Sequence, residues 1–167
     1  MRLDKTVANI INDQVNHELD ASYKYLGMAA YFDSVSLPGF AAWFRAHSQE
    51  ENEHAMRLYD FLVSLGIKVE LKALAAPKTE YASPAEAVKA ALAHEEVVTE
   101  QIKTMFRVAH EAQEFTTQPM LHWFLAEQVE EEDLFNSVLD RVEAAENRFH
   151  LLQLDQELGG RKAGEDG

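Results

Sequence analysis

Gln49-Glu50-Glu51-Asn52-Glu53-His54 lies in the middle of a strongly helical segment, and its reading decides the fold. Around it the residues Phe40, Phe44, His47, Glu51, His54, Leu58, Phe61 and Leu65 recur at steps of four and three, one face of an amphipathic helix. Halfway along that face the hydrophobic residues give way to histidine, glutamate and histidine. An unpaired charge is costly to bury, so ionisable groups on a core stripe need partners. Glu51 and His54 are three apart and their side chains meet on one patch of helix, the spacing of metal ligands. Only His54 of the seven histidines has a glutamate three before it. A surface Glu–His pair has the same spacing, so the motif counts only in the context of the whole chain.

That context is helical throughout. The 167 residues suit one domain with a sizeable core, and seven glycines and four prolines are few. Without cysteine there are no disulfides, thiolate metal sites or cysteine nucleophiles, which fits a reducing cytoplasm. The start, Met1-Arg2-Leu3-Asp4-Lys5-Thr6, lacks the unbroken apolar core of a signal peptide, and no apolar run reaches membrane-spanning length. The net charge of −14 repels nucleic acid and anionic membranes and attracts cations.

A first helix is expected from about Asp4 to Asp33, with Asp4 as N-cap. Its stripe reads Val7, Ile11, Val15, Glu18, Ser22, Tyr25, Ala29 and Phe32. Ser34-Val35-Ser36-Leu37-Pro38-Gly39 breaks it, and so short a link makes the second helix antiparallel to the first. The second runs to about Leu65, with Gly66 as its stop.

Ile67 to Ala82 is then a long connection before Ser83-Pro84-Ala85-Glu86, a capping box with proline at the first helical position. About sixteen residues reach roughly 50 Å, further than the roughly 40 Å length of the second helix. The third helix can therefore start at the far end and run parallel to the second. Its face carries Val88, Leu92, Glu95, Val98, Ile102, Phe106 and Ala109, and it is expected to end near Gln113.

A short link to Thr117-Gln118-Pro119 makes the fourth helix antiparallel to the third. It carries Leu121, Phe124, Gln128, Glu131, Phe135, Val138 and Val142, with Glu127 and Glu130 beside the stripe. A short fifth helix is expected over about Asn147 to Leu158, followed by a mobile polar tail over 159–167. The fold class is thus all-α: a four-helix bundle over 1–158 with one long crossover between helices 2 and 3 and a short C-terminal fifth helix.

All four long stripes are broken near their middles, at Glu18, at Glu51 with His54, at Glu95, and at Gln128 with Glu131. Helix midpoints in a bundle share one level, so these groups should converge. Four glutamates with no lysine or arginine in the same stripes repel one another unless cations lie among them. Two divalent ions balance four carboxylates. A carboxylate-rich set with one imidazole suits iron or manganese better than zinc, and Glu51 is the natural bridge.

The blocks Asn16-His17-Glu18-Leu19-Asp20-Ala21-Ser22-Tyr23-Lys24-Tyr25, Gln49-Glu50-Glu51-Asn52-Glu53-His54, His94-Glu95 and Glu127-Gln128-Val129-Glu130-Glu131-Glu132 resemble those of bacterial non-haem ferritins. The resemblance implies that Glu18, Glu51 and His54 hold one iron and Glu51, Glu95 and Glu131 a second, with Gln128 nearby. It also implies a third iron site at Glu50, Glu127 and Glu130, and Tyr25 as an electron donor beside the centre. The implied activity is a ferroxidase reaction, Fe²⁺ oxidised by O₂ or H₂O₂, with Fe³⁺ oxide stored inside a 24-subunit cytoplasmic cage.

Asn52 stands where a bacterioferritin has its haem-ligating methionine, so no haem is expected. Alternatives are a haem-free bacterioferritin-like protein or a two-iron oxidase acting on another substrate. Against the latter, the fourth helix offers no second Glu-x-x-His. His47 and His94 read as supporting histidines, and Trp43 and Trp123 as packing.

Overall fold

The computed structural model describes residues 2–160, and these form five helices and no strand. They are α1 (Lys5–Ser34), α2 (Pro38–Ser64), α3 (Pro84–Glu111), α4 (Gln118–Ala144) and α5 (Arg148–Gly159). The expected mobile tail lies outside the described residues from Arg161 onward. No helix among the described residues is long and apolar enough to cross a membrane.

The local signals work as their chemistry dictates. The Asp4 carboxylate accepts from the amides of Thr6 and Val7, and Ser83 Oγ accepts from that of Glu86. α3 ends at Glu111, two residues before the expected Gln113, which takes a left-handed conformation (φ 57°) in the turn to α4.

Contacts fix the directions. Ser22 and Ser48 exchange hydroxyl-to-carbonyl hydrogen bonds of 2.7 Å, so α1 and α2 approach closely, and Phe32 stacks on Phe40 nearer the turn. Trp43 meets Phe135, His47 meets Glu131, and His54 meets Phe124, so α2 and α4 are antiparallel. Lys89 meets Glu143 and Phe106 meets His122, so α3 and α4 are antiparallel and α3 runs parallel to α2, as the long connection allowed.

The crossover is pinned along α1 rather than looping free. The amides of Glu70 and Lys72 donate to the side-chain oxygens of Asn12 and Asn16, at 2.8 and 2.7 Å. Both asparagines in turn donate to the Glu70 carbonyl. Further along, the chain lies so close to Gly27 that a Cβ there would sit 2.6 Å from the Lys78 carbonyl oxygen.

Two apolar clusters fill the interior. One gathers Phe32, Phe40, Phe44, Val88, Phe135 and Val142 toward the α1–α2 turn. The other gathers Val7, Ile11, Leu58, Leu62, Ile102, Leu121 and Phe124 at the opposite end. Between them lies a polar layer, where the four stripes were broken. The stripes themselves shift slightly: Leu62, Ala91 and Met105 are fully buried, while Phe61, Leu65, Leu92 and Phe106 are only half-buried. Steps averaging three and a half drift against a helix of 3.6 residues per turn, so the outer ends of a stripe rotate off the core.

α5 docks where α2 begins. Leu37 gives α2 no side-chain cap, and the buried Asp155 carboxylate accepts instead from the Phe40 amide at 2.8 Å. Gly39 permits this approach, because a Cβ there would overlap the Asp155 carbonyl. Gly39→Ala is expected to destabilise by about 1–3 kcal/mol through overpacking, and Asp155→Ala by about 1 kcal/mol through loss of the cap. Urea unfolding followed by circular dichroism would measure both, and unchanged midpoints for the pair would contradict this docking.

Candidate metal centre

The polar layer takes one to three side chains from each long helix: Glu18 from α1, His47, Glu51 and His54 from α2, Glu95 from α3, and Gln128 and Glu131 from α4. All are buried, Glu95 completely. No lysine or arginine is among the buried polar residues described. Two groups of ligand-type atoms draw together within 4.8 Å of one another: Glu18, Glu51 and His54, and His47, Glu50 and Glu131.

Burial sets the electrostatics, and the crowding of carboxylates adds to it. Glu18 is held well above its ordinary 4.5, first by burial and then by the charge of Glu51. Glu51 is raised in the same way, by burial and then by Glu95, with Glu131 and Glu50 contributing. Glu95 is raised by burial against the opposing pull of hydrogen bonds from Tyr25 and Gln128. Glu51 thus feels carboxylates from every other long helix, which suits a bridging position.

The surrounding side chains orient these acids. Gln14 Nε2 donates to Glu18 at 2.9 Å, leaving the second oxygen of Glu18 buried without a hydrogen bond. Gln128 Nε2 donates to the Glu95 carboxylate at 2.9 Å and to Thr99 Oγ1 at 3.2 Å, while Thr99 donates to Glu132. Gln128 therefore presents its amide NH₂ to a carboxylate, steering Glu95.

Tyr25 is fully buried and donates its hydroxyl to Glu95, with its ring stacked on Phe135 at 5.7 Å. Burial, then the charges of Glu95 and Glu51, push the phenol well above its ordinary 10. His54 lies 3.2 Å from Glu51, and its ring meets Trp123 and Phe124 edge-on. Burial keeps His47 and His94 neutral, lowered to about 3 and about 4.

Glu50, Glu127 and Glu130 are not gathered into one tight group. Glu50 approaches His47, Glu127 lies 4.0 Å from His54 and is half-buried, and Glu130 is exposed. Sequence reading overlooked Gln14 and Thr99 and gave His47 only a supporting part. A buried glutamine one turn before Glu18 was the available signal for Gln14; nothing in the spacing marked Thr99.

The donor set suits divalent cations. Carboxylates raised by burial and by mutual crowding ionise when positive charge is supplied, and the orphaned Glu18 oxygen needs a partner. A divalent cation held by the group Glu18, Glu51 and His54 would supply both. The two apolar clusters hold the backbone in place, so the ligands need no folding step to converge.

Comparison with known proteins agrees with this architecture. A family model described as the ferritin-like domain matches residues 8–145. A bacterial non-heme ferritin of Staphylococcus haemolyticus is 36% identical over 165 residues, covering 98% of this chain and 99% of the relative. One from Staphylococcus aureus strain USA300 is 35% identical over 167 residues, again covering 98% and 99%.

Among solved structures, an engineered closed form of the Archaeoglobus fulgidus ferritin superposes with a TM-score of 0.94 at 37% identity, covering 96% of this chain and 99% of that one. An open pore ferritin from the same archaeon gives the same score and identity, covering 97% and 100%. With sequence, fold and the buried acidic layer in accord, the chain belongs to the ferritin family.

Proposed function

We propose that the protein stores and detoxifies iron as a ferroxidase, binding Fe²⁺ as substrate in the polar layer and passing Fe³⁺ into the interior of a cage. The observation that carries this reading is the convergence of four buried glutamates and a histidine with no basic side chain among them. Glu18 and His54 hold one ion, Glu95 and Glu131 the other, and Glu51 bridges. Gln14 and Gln128 orient the outer carboxylates. Glu50, with Glu127 and Glu130 at the edge of the layer, belongs to a third position.

Oxidation of two Fe²⁺ supplies two electrons, which reduce O₂ as far as H₂O₂ with uptake of two protons. Tyr25, whose hydroxyl donates to Glu95, stands beside the pair as the electron donor that the resemblance implies. Neutral His47 and His94 flank Tyr25 and keep added positive charge away from its ring.

We further assign a 24-subunit assembly, a single ferritin-like unit over 1–158, a cytoplasmic location and no haem. Apolar side chains exposed in the single chain support self-association: Leu71 in the crossover, Phe115 in the α3–α4 turn, and Phe149 and Leu152 on α5. The fifth helices then meet around four-fold axes.

The test is addition of Fe²⁺ in air to the purified assembly. Rapid colour and at least two irons retained per subunit are expected. No uptake by intact protein would refute the reading.

A further inference from the structure

We propose that His17 and Gln101 are positioning residues for the metal centre, locking the Gln14 amide so that Glu18 offers an ion one oxygen, Oε2. This rests on the reading above, because it concerns how Glu18 meets the ion that Glu51 and His54 share.

The lock is visible in the hydrogen bonds of Gln14. Its Nε2 donates to Glu18 Oε1 at 2.9 Å and to Gln101 Oε1 at 3.3 Å, so both amide hydrogens are used. Its Oε1 accepts from His17 Nδ1 at 3.3 Å. That bond needs a proton on Nδ1, which the charged ring and one neutral tautomer both carry. A flipped amide would turn its oxygen on the Glu18 carboxylate and the Gln101 oxygen, and its NH₂ on the His17 N–H. The two flanking bonds are longer than the one to Glu18, and weaker, but all three oppose that flip.

Glu18 is the side chain on which the lock acts. It is 1% exposed, and with Oε1 held by Gln14 its Oε2 is buried without a hydrogen bond. Glu18, Glu51 and His54 each bring one ligand-type atom within 4.8 Å of the others. A carboxylate pinned at one oxygen has lost its freedom to rotate before the ion arrives, and it binds through the oxygen left over.

The packing shows why a lock is needed. His17 and Gln101 face a cleft of about 590 Å³ between α1 and α3, lined also by Asp13, Gln14, Val97 and Glu100. His17 is exposed there while Gln14 is buried, so the Gln14 amide is the partition between solvent in the cleft and Glu18. The cleft leaves an unrestrained glutamine room to swing outward. Gln101 holds it from α3, and His17 holds it from the next turn of α1.

The experiment uses the full-chain assembly with Zn²⁺ as probe, read by chelator competition and by anomalous diffraction at the zinc edge. In the wild type Glu18 should bind Zn²⁺ through Oε2 alone, with Oε1 still on Gln14. Gln14→Leu should weaken the ion at Glu18, Glu51 and His54 about tenfold or more, the usual cost of removing a group that orients a ligand. His17→Ala, at an exposed residue, should weaken the same ion by a smaller factor. His17→Asn sets an amide NH₂ where Nδ1 stood and should restore wild-type binding, which a role in packing alone would not produce.

Wild-type affinity in both Gln14→Leu and His17→Ala would overturn the proposal, as would Glu18 binding through both oxygens in the wild type. Failure of His17→Asn to recover what His17→Ala loses would overturn it too. Should Gln14→Leu fail to assemble, the two His17 variants decide alone. No zinc at Glu18, Glu51 and His54 in the wild type would instead overturn the broader reading, and this one with it.

Discussion

Glu51→Ala is expected to slow Fe²⁺ oxidation at least about 100-fold, since it removes the one ligand both central ions share. The substitution should not unfold the protein. Burial and its neighbours raise the Glu51 carboxyl, so in the absence of metal its loss relieves crowding among Glu18, Glu95 and Glu131. The space left behind costs some stability, and the two effects oppose each other. Stopped-flow absorbance after mixing with Fe²⁺ and O₂ measures the rate, and size-exclusion chromatography confirms assembly. An intact assembly oxidising at the original rate would remove Glu51 from the bridging position.

Metal loading should raise the unfolding temperature by an amount that grows with pH. In the metal-free protein Glu18, Glu51 and Glu95 have carboxyl pKa values raised above 4.5. The folded chain therefore holds these protons more tightly than the unfolded chain does. Their contribution to stability is full below about pH 4.5 and is lost as pH rises through the raised values.

His47 and His94 act in the opposite sense. Lowered from 6.5 to about 3 and about 4, they take stability away as pH falls below 6.5. Above pH 6.5 the histidines contribute no further slope, and only the glutamates remain. Metal-free protein should therefore lose stability as pH rises through the range in which these raised glutamates ionise.

Bound Zn²⁺ replaces the protons and removes that slope. Two sites, each filled at about a hundred times its dissociation constant, add about 5 kcal/mol, or roughly 10–20 °C for a chain of this size. Calorimetric scans across pH, with titrations in buffers of different ionisation enthalpy, would detect both the shift and the released protons. Equal unfolding temperatures with and without Zn²⁺, and no proton release at pH 7, would show that the acids are not held together as described.

Much of this was legible in the sequence, for reasons that differ from residue to residue. Glu18, Glu51, His54, Glu95 and Glu131 sit on stripes that a 3.6-residue period makes visible, and each interrupts its stripe at matching depth. The long Ile67–Ala82 connection and the Ser83-Pro84 start allowed a parallel α3 by length and capping chemistry alone.

Other features depend on contacts between positions far apart, and no local pattern encodes them. The Asn12 and Asn16 clamp on the crossover reads as ordinary helix polarity until Glu70 and Lys72 are seen against it. His47 shares its stripe with the ligands, yet only the placement of Trp43, Phe135 and Glu131 shows where its nitrogen points. Helix ends were displaced by a residue or two, since the last turn answers to the following loop as much as to its own sequence.

Asp155 closes the Phe40 amide across 115 positions. During synthesis on the ribosome, α2 must therefore wait with its first turn uncapped until residue 155 has emerged. A nascent chain stalled before residue 155 should fray at Pro38–Phe40, since only Asp155 caps that turn.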